Sequence, residues 1–558
     1  PRATLAKEMG KIGDVDVESE MILMEHKISN EPWSEEVLAC LPKDNYRPTE
    51  EDLKGRKDLR NLCVFSIDPP NCEDVDDALS VEKLESGNFR VGVHIADVTH
   101  YVKPGTALDT EAAERCTSVY LADRRIDMLP RSLTTDICSL RDDGTDRLTF
   151  TAMFELGPDA DVKSESFFKS VIRSKGALSY KEAQDFLDSG PEDTSEMAQC
   201  VRWLSKLALN LRQKRREKGA VELNSEQELR FEFDEEGKPV SISKYEAYST
   251  NQLIEEFMLL ANQAVATVIS NTFRKFSLLR QHSPPKEKDM EDLKKLLKCH
   301  GTQDFDYKTN KTLSASLDKV GKTGDEAFSR LVRMIATRCM QEAQYFCTGD
   351  FKPDKYSHFG LAMARYTHFT SPIRRYADVL VHRFLAASLG IAPLPEELRN
   401  QGVIRTTVGQ VNHKHRMAQW ADRASTELHR HLYFRAHGKV HAVGIVTRVT
   451  QNGGIQVSVE EYGAQASVEM NKFDWLVILE QQTVYGRPQS QYEGIQITVF
   501  DSVEVTVEAD LEDGRFRALK MTFVGIPTKK DARTEAGTEA AVETGPAQAA
   551  PVPAQLAS

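Results

Sequence analysis

The sequence predicts a large mixed α/β domain followed by a small all-β barrel of the OB type. Apolar strand patterns bracket an acidic turn near residue 70, helical periodicity fills residues 178–437, and apolar/polar alternation takes over after Gly438. With 558 residues, 40% of them hydrophobic, the chain can build several cores at roughly 100–200 residues each. Charged residues make up 28%, the mean hydropathy is -0.45, and no run approaches the roughly 18 apolar residues of a bilayer span. A globular chain with no membrane partner is expected. Lys and Arg number 72 against 85 Asp and Glu, a formal charge of -13, which argues against coating nucleic acid by bulk charge and leaves room for a local basic channel.

Nine cysteines are scattered, with no CxxC pair and no zinc-ligand spacing, so reduced thiols are expected. No basic, apolar leader opens the chain, which fits a nuclear or cytoplasmic setting. Position 1 is Pro, so a fragment boundary is expected there.

Residues 1–60 read as a charged lead-in. The runs LCVFSID (62–68) and FRVGVHIADV (89–98) are strand candidates that open the mixed domain, 61–437. Ser179 to Glu182 form a capping box before a helix, and the next helix puts Val201, Leu204, Ala208 and Leu211 on one face. Further helices are predicted over 254–270, 328–346, 372–390 and 415–438. Five alternating segments, 440–449, 454–461, 464–470, 495–510 and 515–524, form the predicted barrel, 438–526. Single-stranded nucleic acid is the common partner of such a barrel. The remaining 527–558, rich in Ala, Thr, Glu and Pro, is expected to be disordered.

The most informative stretch runs from Asp68 through Pro69, Pro70, Asn71, Cys72, Glu73, Asp74 and Val75 to Asp76 and Asp77. Four aspartates at a strand end and tight turn repel one another. Holding them together calls for a cation, and clustered hard oxygen donors suit magnesium or manganese. An EF-hand loop does not fit, because its sixth position would be Glu73 where Gly is needed. A solvated acidic turn is the bland alternative, opposed by the apolar strands on both sides. A carboxylate cluster with magnesium is best served by phosphodiester hydrolysis. That chemistry also needs a cation for the equatorial phosphate oxygens. The segment Tyr366 to Tyr376, YTHFTSPIRRY, offers one: Thr370 or Ser371 caps a helix, Pro372 takes its first turn, and Arg374 and Arg375 follow.

These motifs resemble those of the RNase II/RNase R family, whose RNB catalytic domain carries the acidic motif seen here as SIDPPNCEDVDDAL and the Arg motif seen as YTHFTSPIRRYADVLVHR. Further stretches that resemble the family are VGVHIADVTHYVKPGTALD (91–109), VYLADRRIDMLP (119–130), ICSLR (137–141), EEFMLLAN (255–262) and TRCMQEAQYFC (337–347). The resemblance covers about residues 10–525 and is nearest to the eukaryotic branch that serves as the exosome's catalytic subunit. It implies a processive, hydrolytic 3′-to-5′ exoribonuclease acting on single-stranded RNA, with a magnesium cofactor, manganese as substitute, and the exosome core as partner. It further implies Asp68 and Asp77 as metal ligands, Asp74 in support, and Asp76 as the acid essential to cleavage. Arg374 falls on the arginine that holds the scissile phosphate, Tyr120 on an aromatic that stacks near the RNA 3′ end, and Asp422 on an acidic 3′-end contact of bacterial members. Ser371 and Arg375 join this set as RNA contacts. The family often has Gly where Asn71 stands, and Asn tolerates the left-handed backbone such a turn needs. The resemblance also implies cold-shock OB domains and, in the exosome branch, a PIN endonuclease domain; of these the given sequence is expected to hold at most a remnant of a cold-shock domain within 1–60.

Other features have plainer readings. The basic run Arg212, Lys214, Arg215, Arg216 and Lys218 suits a helix C-terminus, although it could line an RNA path. His413, His415, His429 and His431 are spaced so that neighbours fall on different helix faces, which disfavours zinc. Trp203 is expected in the core. A nuclease-dead RNA-binding protein of the same family is the rival reading, opposed by the four aspartates and Arg374.

Overall fold

A computed structural model describes residues 8–43, 46–222, 229–322, 326–450, 454–471, 473–510 and 518–527. The predicted tail 527–558 lies outside them from residue 528 onwards. The lead-in is helical in its described part, with short helices Val15–Glu25, Glu35–Leu38 and Glu50–Leu53 capped by Asp14, Ser34 and Thr49.

A seven-stranded sheet carries the acidic motif. Its spatial order is Lys57–Asp58, Val162–Arg173, Asp146–Leu156, Phe89–Ala96, Asp77–Lys83, Val64–Asp68 and Ala177–Ser179. The pairings are antiparallel except at the two margins, where Lys57–Asp58 and Ala177–Ser179 run parallel to their neighbours. Strand Phe89–Ala96 is buried at seven of its eight positions, as expected of a strand covered on both faces. Helices Glu196–Glu217, Ser249–Thr272 and Tyr376–Ser388 share the sheet's core through Leu204, Phe257 and Phe384. Trp203 is half-buried beside Phe89. By length and composition Ser249–Thr272 could cross a membrane, but 67% of its most apolar window is buried inside the protein; it is a core helix.

Three predictions change. The helix expected over 328–346 ends at Arg338, and Gln344–Cys347 is a strand paired with Leu278–Gln281. The helix expected from 415 starts at Gln401 and runs 37 residues to His437. The third concerns residues 372–375, described with the site.

After Gly438, whose positive φ of 72° ends the long helix, an antiparallel five-stranded sheet forms in the order Ala464–Val468, Ile455–Val459, Val440–Val449, Ser502–Ala509, Leu519–Gly525. It curls until its two outer strands lie against each other. The strand expected over 495–510 is broken into Gln496–Thr498 and Ser502–Ala509 around Phe500, which has a φ of 77°. Gln496–Thr498 joins Trp475–Ile478 and Thr483–Gly486 in a separate three-stranded sheet that the alternation pattern did not reveal.

Candidate active site

The acidic motif is a loop between adjacent strands. Asp68 ends Val64–Asp68 and Asp77 opens Asp77–Lys83, two strands paired at Val64 with Ser80 and Phe65 with Leu79. Asn71 takes a φ of 62°, the left-handed turn expected of it. The loop is pinned by Ser139, whose hydroxyl donates to the Glu73 carbonyl at 2.7 Å and accepts from the Val75 amide at 3.1 Å. The Leu140 amide donates to the Val75 carbonyl, so the ICSLR stretch acts as a clasp.

The arginine motif reaches this loop from about three hundred residues away. The Ile373 amide donates to Asp76 Oδ1 at 2.8 Å, and Arg374 Nε lies 3.5 Å from Asp76 Oδ2. Arg374 is 43% exposed at its side chain, whereas Asp76 is buried. Its Nη2 donates to Ser371 Oγ at 3.2 Å. The Ser118 amide and Thr117 hydroxyl donate to the Arg374 carbonyl, and two residues later Tyr120, 42% exposed, donates from its hydroxyl to Asp74 Oδ2 at 3.3 Å. An exposed ring there speaks against a core tyrosine.

The expected helix start is corrected. Residues 371–375 form a turn, the helix begins at Tyr376 with no side-chain cap, and neither Thr370 nor Ser371 caps it. The cause is Asp378, fully buried, which accepts from the Ser371 amide at 2.8 Å and from Arg375 Nε and Nη2 at 2.9 and 2.8 Å. This carboxylate draws both ends of the turn together ahead of the helix. Arg375, expected as an RNA contact, is here paired with Asp378. Asn262, from EEFMLLAN, supports the same motif: it accepts from the Phe369 amide at 2.7 Å and donates to Tyr366 Oη at 3.2 Å.

Electrostatically the loop is under strain. Burial, then the Asp74 charge, pushes the Asp68 carboxyl up to about 6; burial, then Asp68, pushes Asp77 up to about 7; burial raises Asp76 well above the carboxylate range against the pull of Arg374. Asp74 differs, being paired with Arg125, which also reaches Asp127 at 2.6 Å. The Oδ2 atoms of Asp68 and Asp76 are buried with no hydrogen-bond partner. Hard oxygens, mutual repulsion and two orphaned acceptors fit a divalent cation. As placed, no three acidic, imidazole or thiol side chains among the described residues converge closely enough to hold one, so the fit is one of donor chemistry.

Asp422 is exposed on the long helix Gln401–His437. That helix packs Ala421, Ala424 and Leu428 against Val119, Leu121 and Ile126 of the Tyr120 hairpin, so Asp422 and Tyr120 belong to neighbouring elements. Four of the five residues in the basic run at the end of Glu196–Glu217 are held in ion pairs: Arg212 with Glu222, Lys214 with Asp161, Arg215 with Glu256, Arg216 with Asp318. Nothing in the acidic or arginine motifs by themselves marks Arg125, Ser139, Asn262 and Asp378 as site residues. The stretches holding Ser139 and Asn262 were visible as resembling the family, whereas the roles of Arg125 and Asp378 depend on contacts across the fold.

Residues 56–391 match the RNB domain family model. The chain belongs to the RNB family. Exosome complex exonuclease RRP44 homolog A of Arabidopsis thaliana is 44% identical over 518 residues, covering 91% of this chain and 54% of that protein. The human exosome complex exonuclease RRP44 is 40% identical over 530 residues, covering 94% and 54%. This RNB chain thus spans about half the length of the curated relatives it matches. Mycoplasma genitalium RNase R, solved with ribose-methylated single-stranded RNA, aligns with a TM-score of 0.80 at 22% identity, covering 92% of this chain and 79% of that one. Yeast Ssd1, described as a pseudonuclease, aligns with a TM-score of 0.70 at 21% identity, over 87% and 60%. At these identities both share the RNB fold and nothing finer.

Proposed function

We propose that this chain is a hydrolytic, processive 3′-to-5′ exoribonuclease that degrades single-stranded RNA to 5′-nucleotides. The observation that carries it is the junction of Asp76 with Ile373 and Arg374, which brings an anionic loop and a half-exposed guanidinium to one point. The names of the RRP44 relatives support the same reaction class. Asp68, Asp76 and Asp77, with Asp74 in support, would hold magnesium, or manganese in its place. When bound, the ion supplies Lewis acidity at the scissile phosphate and a more acidic water.

The chain's own residues do the rest. Arg374 neutralises the non-bridging phosphate oxygens, braced by Ser371 Oγ so that its fork needs no reorganisation. Asp76, held by the Ile373 amide, orients Arg374. Tyr120 offers an exposed face on which a 3′-terminal base can stack, and Asp422 lies on the adjoining helix, where it would accept from the terminal ribose hydroxyls. We read the domains as a lead-in to residue 60, an RNB domain over 61–437 and an OB-type RNA-binding barrel over 438–526. We read its setting as RNA processing and decay in the nucleus or cytoplasm, with the exosome core as partner, a reading supported by the names of the exosome complex exonucleases it resembles.

The test is incubation of the purified chain with 5′-labelled single-stranded RNA, with magnesium or EDTA, beside Asp76→Asn. Magnesium-dependent shortening from the 3′ end that vanishes in Asp76→Asn is the expected result. RNA binding without cleavage under every metal condition would place the chain with nuclease-dead members of the fold.

A further inference from the structure

The Arg motif has a second cationic neighbour that the reaction described above does not use. Arg280 lies on strand Leu278–Gln281, whose partner strand places Tyr345 directly across from it. The strand is fastened to the motif: the Arg280 amide donates to the Tyr366 carbonyl at 2.7 Å, and the Thr367 hydroxyl donates to the Leu278 carbonyl at 3.0 Å. The Arg280 guanidinium lies over the Tyr345 ring, 4.8 Å from its centre, and Tyr345 in turn pairs its hydroxyl with His368 of the motif. Asn412 clamps Tyr345 to the long helix through both the backbone amide and carbonyl, at 2.9 and 2.8 Å. Arg280 is therefore built into the seam between the Arg motif and the helix that carries Asp422.

What sets it apart is its charge balance. Arg375 is neutralised by Asp378, Arg383 by Asp109 and Arg125 by Asp74 and Asp127. Among the described residues no carboxylate pairs with Arg280, and its Nη1 is buried without a hydrogen-bond partner. The imidazoles beside it add no acid: burial and the neighbouring Arg280 and Arg375 hold His415 down to about 4, and His368 well below its ordinary range. An uncompensated, partly buried guanidinium is costly unless an anion completes it. Arg280 and His415 are each partly exposed, so the recess opens to solvent. His415 and Asp422 are seven residues apart, two turns along one face of the helix, which puts the recess in line with the expected 3′-end contact.

We propose that Arg280, seated on Tyr345 beside His415, binds a backbone phosphate of the RNA other than the scissile one. This rests on the exoribonuclease reading and deepens it by adding a phosphate site. A planar fork stacked on an aromatic ring suits a phosphodiester oxygen pair, and contact with the backbone alone suits an enzyme that accepts every base.

The test is equilibrium binding of 5′-labelled single-stranded RNA in EDTA across a salt series, in the Asp76→Asn chain with and without Arg280→Gln. Losing one phosphate contact should reduce the steepness of log affinity against log salt by about 0.7, the single-strand value, and weaken binding roughly tenfold. Arg280→Lys should restore most of the slope. Should Arg280→Gln lack a native thermal transition, Arg280→Met, which keeps the stem over Tyr345, takes its place. Independently, RNAs carrying one neutral methylphosphonate at successive positions should reveal, in the chain with Arg280 intact, a non-scissile phosphate whose neutralisation weakens binding. Finding no such position, or equal slopes and affinities with and without Arg280, overturns the second site while leaving the nuclease reading standing. Failure of the Asp76→Asn chain itself to bind RNA removes both.

Discussion

The amide of Ile373 donates to Asp76 Oδ1 at 2.8 Å, joining two motifs 297 residues apart in the chain. One carboxylate oxygen is thus spent on holding the arginine turn, and the other, 3.5 Å from Arg374 Nε, faces the site. Asp76 is both a brace and a charge.

Asp76→Asn separates these roles, because the amide oxygen can still accept from Ile373 while the charge is gone. Cleavage should fall by at least about 10²-fold, the scale of losing one preorganised electrostatic group, with RNA affinity and thermal midpoint near those of the parent. A large loss of stability in this variant would mean that the charge, and not the Ile373 bond alone, holds the turn.

Arg374 and Arg375 should respond oppositely. Arg375→Met leaves the fully buried Asp378 charge unpaired, and removing one partner of a buried pair costs about 3–5 kcal/mol, readable as a lower urea midpoint. Arg374→Met, at a half-exposed side chain, should leave that midpoint almost unchanged and abolish cleavage. Equal destabilisation by both would refute the division of labour between them.

Removing metal should expose the repulsion within the acidic loop. Asp77 is raised to about 7 by burial and the Asp68 charge, so in EDTA at pH 8 Asp77→Asn should raise the thermal midpoint, and the rise that magnesium gives the parent should disappear in the variant. A magnesium shift of equal size in both chains would place the ion elsewhere.

The buried histidines should contribute acid sensitivity. His94 is fully buried between Ser80 Oγ and Thr151 Oγ1, each at 2.8 Å, and burial lowers it to about 3; burial likewise lowers His358 to about 3 and His382 to about 4. With folded values depressed below the unfolded value of roughly 6.5, the unfolded chain takes up more protons. Their contribution to stability should therefore fall as pH drops below about 6.5 and continue falling towards 3–4. The raised Asp68 and Asp77 carboxyls act in the opposite sense over the same range, so the histidine contribution is read as a difference: from pH 7.5 through 6 to 5 the parent's urea midpoint should fall relative to that of His94→Gln. A difference that does not change with pH contradicts the assignment.

Local chemistry was legible wherever neighbours in sequence are neighbours in space. The capping box of Ser179 and Glu182 formed as read, Asn71 took the left-handed turn its side chain tolerates, and the first strand of the curled five-stranded sheet begins and ends where the alternation does, at Val440 and Val449. The 372–390 pattern misled because Asp378 bonds back to Ser371 and Arg375, a competition that periodicity does not register. The 328–346 pattern misled because Gln344–Cys347 gains a partner strand in Leu278–Gln281, which lies far away in the chain.

By itself, then, the sequence determined the acidic loop, the arginine segment and the elements that carry them, since strand alternation, turn chemistry and charge clustering are short-range properties. Only the tertiary structure decided that Asp76 meets Ile373, that Arg375 pairs with the buried Asp378 while Arg374 stays half-exposed beside Asp76, and that Arg280 is left without a counter-charge. The physical reason is that an ion pair depends on distance in space and on burial, and neither is set until sheet, helices and loops have packed.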